Sequence, residues 1–141
     1  MSYIDQTAIE TVYGANNVAT WGNFTPGAAS PDATRLAQAI SYAESVFENT
    51  VRSSRYAVPL TAVGGGAFTD AQALTAIATL AGWWLWKTRN INVSDSYQTY
   101  MTTNHNYAIG VFNGIASSKI LVNAALRTAS QGVNAPMLSS W

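Results

Sequence analysis

Helix-start signals occur four times in this sequence, and an apolar run with helical spacing follows each of them. An N-cap side chain accepts a hydrogen bond from the first helical turn, which Ser, Thr and Asp do well. The four predicted N-caps are Asp5, Ser30, Thr69 and Ser94. They predict helices at about 6–13, 31–54, 70–90 and 95–117. We therefore expect an all-α fold, a small helical bundle with long loops and an extended C-terminal arm.

Two of the predicted helices carry one continuous apolar stripe, which identifies candidate core residues. In the helix at about 31–54 the stripe is Leu36, Ile40, Ala43, Phe47 and Val51. In the last helix it is Tyr97, Met101, Asn104, Ala108, Val111 and Ile115. Asn104 is the polar member of this seam and is expected to fix its register. A chain of 141 residues is one domain by length and needs no cross-link to fold.

Three tryptophans lie within four positions of the third predicted helix. At about 100° per residue, Trp84 shares the face of Leu85, whereas Trp83 and Trp86 point to roughly the opposite side. A helix that is apolar on more than one side is buried on more than one side. Either other helices of the same bundle cover the second face, or Trp83 and Trp86 lie at a subunit interface, where tryptophan is favoured.

The charge content limits the classes of partner. Charged residues make up 10% of the chain, and seven Lys and Arg balance seven Asp and Glu. The average is about 25% charged, so this surface is typical of a protein whose surface becomes interface. Without a basic excess, a lone subunit is not expected to bind duplex DNA. The apolar stretch around the tryptophans is shorter than the ~20 residues of a membrane span, so no membrane association is expected.

The sequence offers no convincing catalytic set. His105 is the single histidine and there is no cysteine, so an ordinary zinc site is not expected. The run Gly64 to Gly66 lacks the Lys-Ser/Thr of a phosphate-binding loop, and no nucleophile-elbow motif occurs. Helix caps and first turns account for four of the seven acids. We expect no enzymatic activity, no cofactor and no metal.

Four stretches carry a resemblance to a known family. They are "YIDQTAIETVYG" (3–14), "RLAQAISYAESVFENTVRSSRYAVPL" (35–60), "ALTAIATLAGWWLWKTR" (73–89) and "YAIGVFNGIASSKILV" (107–122). Together they resemble the phage head–tail adaptor proteins of the Mu-like head–tail joining family. The family's long helix ends in an Arg-Tyr-x-x-Pro-Leu turn, matched here by Arg55, Tyr56, Pro59 and Leu60. The loop 14–30, long and uncharged, and the glycine-rich 61–69 depart from the family pattern.

The resemblance implies a structural virion protein without enzymatic activity or cofactor. It implies a ring, with a dodecamer as the expected size, that sits in the neck between portal and tail and passes genomic DNA through its lumen. The implied partners are further copies of the chain, the portal protein, a tail-side neck or tail protein, and DNA bound without sequence specificity. The implied location is the virion neck, with the host cytoplasm during assembly.

Two alternatives stay open at this point. One is a tail-completion (neck) protein, another part of the same virion. The other is a helical module that binds an apolar small molecule through Trp83, Trp84 and Trp86.

The end of the chain is expected to form a separate unit. We predict a helical adaptor domain at 1–123 and a C-terminal docking arm at 124–141. The arm has no helical period and one charge, Arg127. It ends in the apolar anchors Pro136, Met137, Leu138 and Trp141, the type of residue that dominates interface energy. We expect it to become ordered only on a partner, with the portal as the expected one.

Overall fold

The computed structural model describes residues 2–90 and 93–128 of the chain. Within these ranges five helices follow one another: α1 Gln6–Tyr13, α2 Ala15–Gly22, α3 Ala33–Val51, α4 Ala71–Arg89 and α5 Asp95–Ala116. The extended pairings in the same ranges are two isolated antiparallel bridges, Tyr56 with Leu126 and Thr61 with Ala67. The predicted all-α fold is confirmed. None of the helices in the described residues is long and apolar enough to cross a membrane.

Side-chain caps begin four of the five helices. The observed caps are Asp5 for α1, Asp32 for α3, Asp70 for α4 and Ser94 for α5, each accepting a backbone hydrogen bond from the first turn. Ser30 and Thr69 were therefore wrong as predicted caps. In both places a nearby carboxylate takes the role, because its full charge also interacts favourably with the positive end of the helix.

Helix α2 is the element that the sequence pattern missed, because residues 14–30 were expected to be a loop. Gly14, with φ of 90°, ends α1 and begins α2, and no side-chain cap marks the new start. What holds α2 in place is burial, since Val18 and Trp21 are 0% and 4% exposed. Tertiary packing, not a local signal, therefore decides this helix.

Helix α4 is the centre of the bundle and packs against α1, α2, α3 and α5. Its residues from Ala76 to Gly82 are all buried. Gly82 lets α1 approach closely: a Cβ atom there would lie 2.2 Å from Cε2 of Tyr13. The Tyr13 hydroxyl donates a hydrogen bond to the carbonyl oxygen of Thr79 at 2.8 Å. A buried phenol thus fixes α1 on α4.

The inward face of α3 differs from the predicted stripe in its first half. Its buried residues are Arg35, Ala39, Ala43, Phe47 and Val51. Leu36 and Ile40, which were predicted to be core, are only partly buried and lie at the edge of the core. Ala39 and Ala43 are buried instead, and small side chains of this kind allow two helix backbones to lie close together. Phe47 is fully buried, and its ring centroid lies 5.2 Å from that of Phe112.

The predicted seam of α5 is confirmed for its apolar members from Met101 onward. Met101, Ala108, Val111 and Ile115 are buried, and Tyr97 and Asn104 are partly buried. Phe112 is also fully buried, although the four-and-three spacing did not include it. The helix therefore presents a wider apolar face to α4 and α3 than the seam alone predicts.

The helices of the same chain cover most of the tryptophan surface. Trp86 is 8% exposed and belongs to the core, where its ring centroid lies 6.4 Å from that of Tyr97. The prediction that Trp86 points away from the core to a subunit interface is therefore wrong. Trp84, predicted on the buried face, is only partly buried, and its ring lies 6.3 Å from that of Tyr42 on α3. Helix α4 packs against four other helices, so no single face of it is the inner one. This explains why both Trp84 and Trp86 differ from the prediction.

Candidate docking surface

The turn after α3 is held in place by its two large residues. Tyr56 is 2% exposed, and its hydroxyl accepts a hydrogen bond from the backbone N–H of Val122 at 3.1 Å. Leu60 is fully buried, and its N–H donates to the Tyr3 hydroxyl at 2.8 Å. The Val58–Pro59 peptide bond is cis. Tyr56 and Leu60 are thus internal supports of the turn.

Arg55 does not lie at the end of α3, although the predicted helix at about 31–54 would place it there. Helix α3 ends at Val51 with Arg52 as its C-cap, so Arg55 does not meet the carbonyls of the helix end. The Arg55 side chain is exposed, and its backbone carbonyl accepts a hydrogen bond from the N–H of Arg127 at 2.8 Å. Pro59, in the same turn, is also exposed.

Residues 124–127 pack against this turn. The Ala125 N–H donates to the carbonyl of Thr61 at 2.8 Å, and the Ala125 carbonyl accepts from the N–H of Ala57 at 3.0 Å. Ala124 is 3% exposed. The predicted domain boundary after residue 123 is therefore wrong, because these backbone hydrogen bonds join 124–127 to the helical domain. Arg127 belongs to the same packed segment.

The remaining residues of the predicted arm have no described position. Pro136, Met137, Leu138 and Trp141 lie outside the described residues. Their docking on a partner stays a prediction.

The glycine-rich segment after the turn forms a tight hairpin. Thr61 pairs with Ala67, and the Ala62 N–H donates to the Gly66 carbonyl at 3.2 Å. Gly64, Gly65 and Gly66 all have positive φ, which only glycine adopts without strain. The hairpin tip projects Val63 into solvent, where it is 68% exposed.

The turn, the hairpin and the segment after α5 create one surface, which we call the turn-end surface (residues 55–67 and 119–127). Six large hydrophobic residues are exposed in the part of the chain that the structure describes, and three of them lie here: Val63 at 68%, Leu121 at 67% and Leu126 at 55%. Arg55 and Lys119, which lie within the same two stretches of chain, are exposed cations. Exposed apolar residues beside polar ones indicate a docking patch.

The N-terminal segment holds this surface in place through hydrogen bonds of Tyr3. The Tyr3 hydroxyl donates to Glu48 Oε2 at 2.6 Å while it accepts from Leu60. Burial, and then the hydrogen bond to Glu48, raise the pKa of Tyr3 above its ordinary value. Glu44 accepts hydrogen bonds from the N–H groups of Tyr3 and Ile4. Burial raises the pKa of Glu44, although these two hydrogen bonds act in the opposite direction.

The carboxylates of the chain have structural positions. Asp5, Asp32 and Asp70 cap helices, Asp95 lies in the first turn of α5, Glu10 accepts from Gln6, and Glu44 and Glu48 hold the N-terminal segment. Within residues 2–90 and 93–128, no group of three or more His, Asp or Glu side chains is placed to hold a metal ion.

A buried arginine at the other end of the bundle was missed by the sequence analysis. Arg35 is 9% exposed, and its Nη2 donates to the carbonyls of Trp21 and Leu85 and to the Thr88 hydroxyl at 3.0–3.2 Å. Burial lowers the pKa of Arg35, and the nearby charge of Arg89 lowers it further. One feature of the sequence could have indicated that Arg35 is buried: it lies one helical turn before Ala39, on the same buried face of α3.

Phe24 covers this arginine from outside. Its ring centroid lies 4.6 Å from Cζ of Arg35 and 5.3 Å from Cζ of Arg89, and its side chain is 60% exposed. Cation–π contacts of this kind stabilise an aromatic ring at a surface. The chain therefore exposes apolar residues at both ends of the bundle, with the larger group at the turn end.

The three clustered tryptophans do not line one pocket. Trp83 packs on His105 of α5, with ring centroids 4.4 Å apart, while Trp84 packs on α3 and Trp86 lies in the core. Trp83 is partly buried, and its place at a subunit interface stays a prediction. No known family model matches this chain, and a search of curated proteins found no match.

Proposed function

We propose that this chain is a head–tail adaptor, a structural virion protein that forms a ring between portal and tail and passes DNA through its lumen. The observation that carries the proposal is the turn-end surface. The Arg-Tyr-x-x-Pro-Leu turn, the most specific element of the family resemblance, is the support on which Val63, Leu121 and Leu126 are exposed.

Apolar side chains exposed to water favour association with a partner that covers them. Burial of apolar area against a partner contributes roughly 25 cal/mol per Å², so exposed Val63, Leu121 and Leu126 favour association. Backbone hydrogen bonds and the buried Tyr56 hold the turn in one conformation, so little order has to be gained on binding. The partner we assign to this surface is the portal.

The charge balance supports passage of DNA. Seven cations and seven anions give no net charge. A strongly cationic lumen would hold the phosphates, whereas a neutral wall lets the duplex slide.

The runner-up is a tail-completion protein of the same virion. It would use the same exposed patches but bind the finished tail instead of the portal. A small-molecule module has less support, because the three tryptophan rings pack against different partners.

Binding to portal-bearing, DNA-filled heads that lack a neck tests the proposal. The variant is Val63→Asp with Leu121→Asp, and the control is Thr20→Asp at an exposed position of α2. We expect wild type and control to co-sediment with the heads and the double variant to be lost from them. Binding to purified tails but not to heads would favour the tail-completion protein, and binding to neither would overturn the proposal.

A further inference from the structure

The outward face of α5 carries no formal charge over nearly its whole length. From Ser96 to Ala116 there is no Asp, Glu, Lys or Arg, although much of this surface is exposed. Tyr100 and Tyr107 are 47% and 45% exposed. They are two helical turns apart and lie on the same face. Exposed tyrosine together with depletion of charge is the composition of an interface core.

Gly110 adds an independent observation on the same helix. It is exposed in the interior of α5, and nothing lies within 4 Å of the position that a Cβ atom would take. Glycine destabilises a helix interior relative to alanine, and neither the packing of the chain nor a positive φ requires it here. A neighbouring molecule that comes close to α5 beside Tyr107, one turn earlier, would account for the glycine.

The outward face of α3 carries two shallow, open grooves, one on each side of a ridge. One groove of about 520 Å³ runs along Leu36 and Ile40, with Glu44 and Glu48 at one end. A second, of about 670 Å³, lies beside Gln38 and Tyr42. Ala37 and Ser41 line both grooves and form the ridge between them. A third recess, on α5 itself, is lined by Asp95 and by Gln and Thr side chains, which suit an aromatic ring less well.

We propose that α5 of one copy docks across α3 of the next, with Tyr100 and Tyr107 in the two grooves and Thr103 over the ridge at Ser41. Seven residues of helix place the tyrosines about 10.5 Å apart, close to the ~10 Å width of the helix that they would straddle. The ridge itself, Ala37 and Ser41, is uncharged, as is the face of α5 that carries the tyrosines, and the carboxylates of Glu44 and Glu48 lie at one end of the first groove.

This contact is heterologous, because each copy uses α5 on one side and α3 on the other. Repetition of a heterologous contact generates a ring when the rotation closes. The inference rests on the proposed function, in which the chain forms a ring, and it names the two surfaces that build that ring.

Cysteine cross-linking tests the contact cleanly, because the chain has no cysteine of its own. Ser41→Cys and Thr103→Cys are made separately, mixed in equal amounts and oxidised, after native mass spectrometry of the same sample. A disulfide needs Cβ atoms about 3.5–4.5 Å apart. We expect a cross-linked dimer in the mixture, none from either variant alone, and none when Thr75→Cys, exposed on α4, replaces Ser41→Cys.

The other outcomes overturn the inference in distinguishable ways. A ring that gives no cross-link between positions 41 and 103 refutes these surfaces and leaves the adaptor proposal standing. Cross-linking of Thr103→Cys with itself indicates a symmetric contact between two α5 helices and also refutes them. A chain that stays monomeric by mass refutes both the inference and the proposed ring.

Gly110→Leu provides the second test. The substitution meets open space in the subunit but occupies the room beside Tyr107. We expect the melting temperature of the monomer not to fall while the ring species disappears from the native mass spectrum. A ring that persists in Gly110→Leu would contradict the docking of α5 on α3.

Discussion

Gly82→Ala tests the central packing contact of the bundle, the approach of α1 to α4. The added methyl would lie 2.2 Å from Cε2 and 2.3 Å from Cδ2 of Tyr13, so the ring has to move. The Tyr13 hydroxyl donates the hydrogen bond to the Thr79 carbonyl at 2.8 Å, and the ring packs edge-on against Trp21 with centroids 5.2 Å apart. One methyl therefore disturbs a buried hydrogen bond and an aromatic contact together.

The expected change in the free energy of unfolding follows from three effects. Overpacking a close contact costs about 1–3 kcal/mol, and a weakened buried hydrogen bond costs about 1 kcal/mol more. Replacement of glycine by alanine within a helix acts in the opposite direction and stabilises the folded state by about 1 kcal/mol. We expect Gly82→Ala to be about 2 kcal/mol less stable than wild type, which for a domain of this size lowers Tm by about 7 °C.

Gly110→Ala is the matched control, because it makes the same chemical change where the new methyl meets nothing. We expect it to raise the stability of the subunit by about 0.5–1 kcal/mol. Both variants are compared by thermal and urea unfolding, at a concentration at which the protein is monomeric. If Gly82→Ala is as stable as Gly110→Ala, Tyr13 does not pack against Gly82 and the docking of α1 is misassigned.

Three further predictions concern the core, the chain end and pH. Phe47→Ala should destabilise the fully buried position by about 3–5 kcal/mol in urea unfolding, and a loss below about 1 kcal/mol would contradict its central place. Truncation after Asn123 should lower Tm further than truncation after Thr128, because the hydrogen bonds of residues 124–127 are lost only in the shorter chain; equal Tm values for the two truncations would show that the segment does not stabilise the domain. Burial raises the pKa values of Tyr3 and Tyr13 in the folded state. Above about pH 10 the unfolded state therefore loses protons that the folded state keeps, and the free energy of unfolding should fall as pH rises above that value. The Tm of Tyr3→Phe should fall less steeply with pH than that of wild type, and identical slopes would exclude Tyr3 as a cause.

The sequence predicted helices wherever a local signal and a periodic run coincide. Helix α1 was predicted at its observed bounds, and α5 differs by one residue at its C-terminal end. Helix α2 has neither a capping side chain nor a long apolar run, so only its burial against the rest of the chain defines it. The caps of α3 and α4 were misplaced because neighbouring residues in each case could all serve as caps.

The buried faces were harder to predict than the helices. Alanine carries little hydrophobic signal, so the pattern favoured Leu36 and Ile40 over the inward-facing Ala39. A helix covered on four sides has no single inner face, which is why the assignments of Trp84 and Trp86 were wrong. The candidate docking surface depends on hydrogen bonds between residues more than sixty positions apart, such as Tyr56 with Val122, and no local pattern predicts those.

Assembly into a closed ring can be read from the native mass spectrum of the purified full chain. The subunit mass is 15.0 kDa, so each oligomer is read as a multiple of that mass. The account predicts one dominant closed species, with the dodecamer implied by the family resemblance as the expected one, which dissociates to monomer when the α5 surface is changed by Gly110→Leu. A monomer at every concentration, or an open series of sizes without a dominant member, would contradict it.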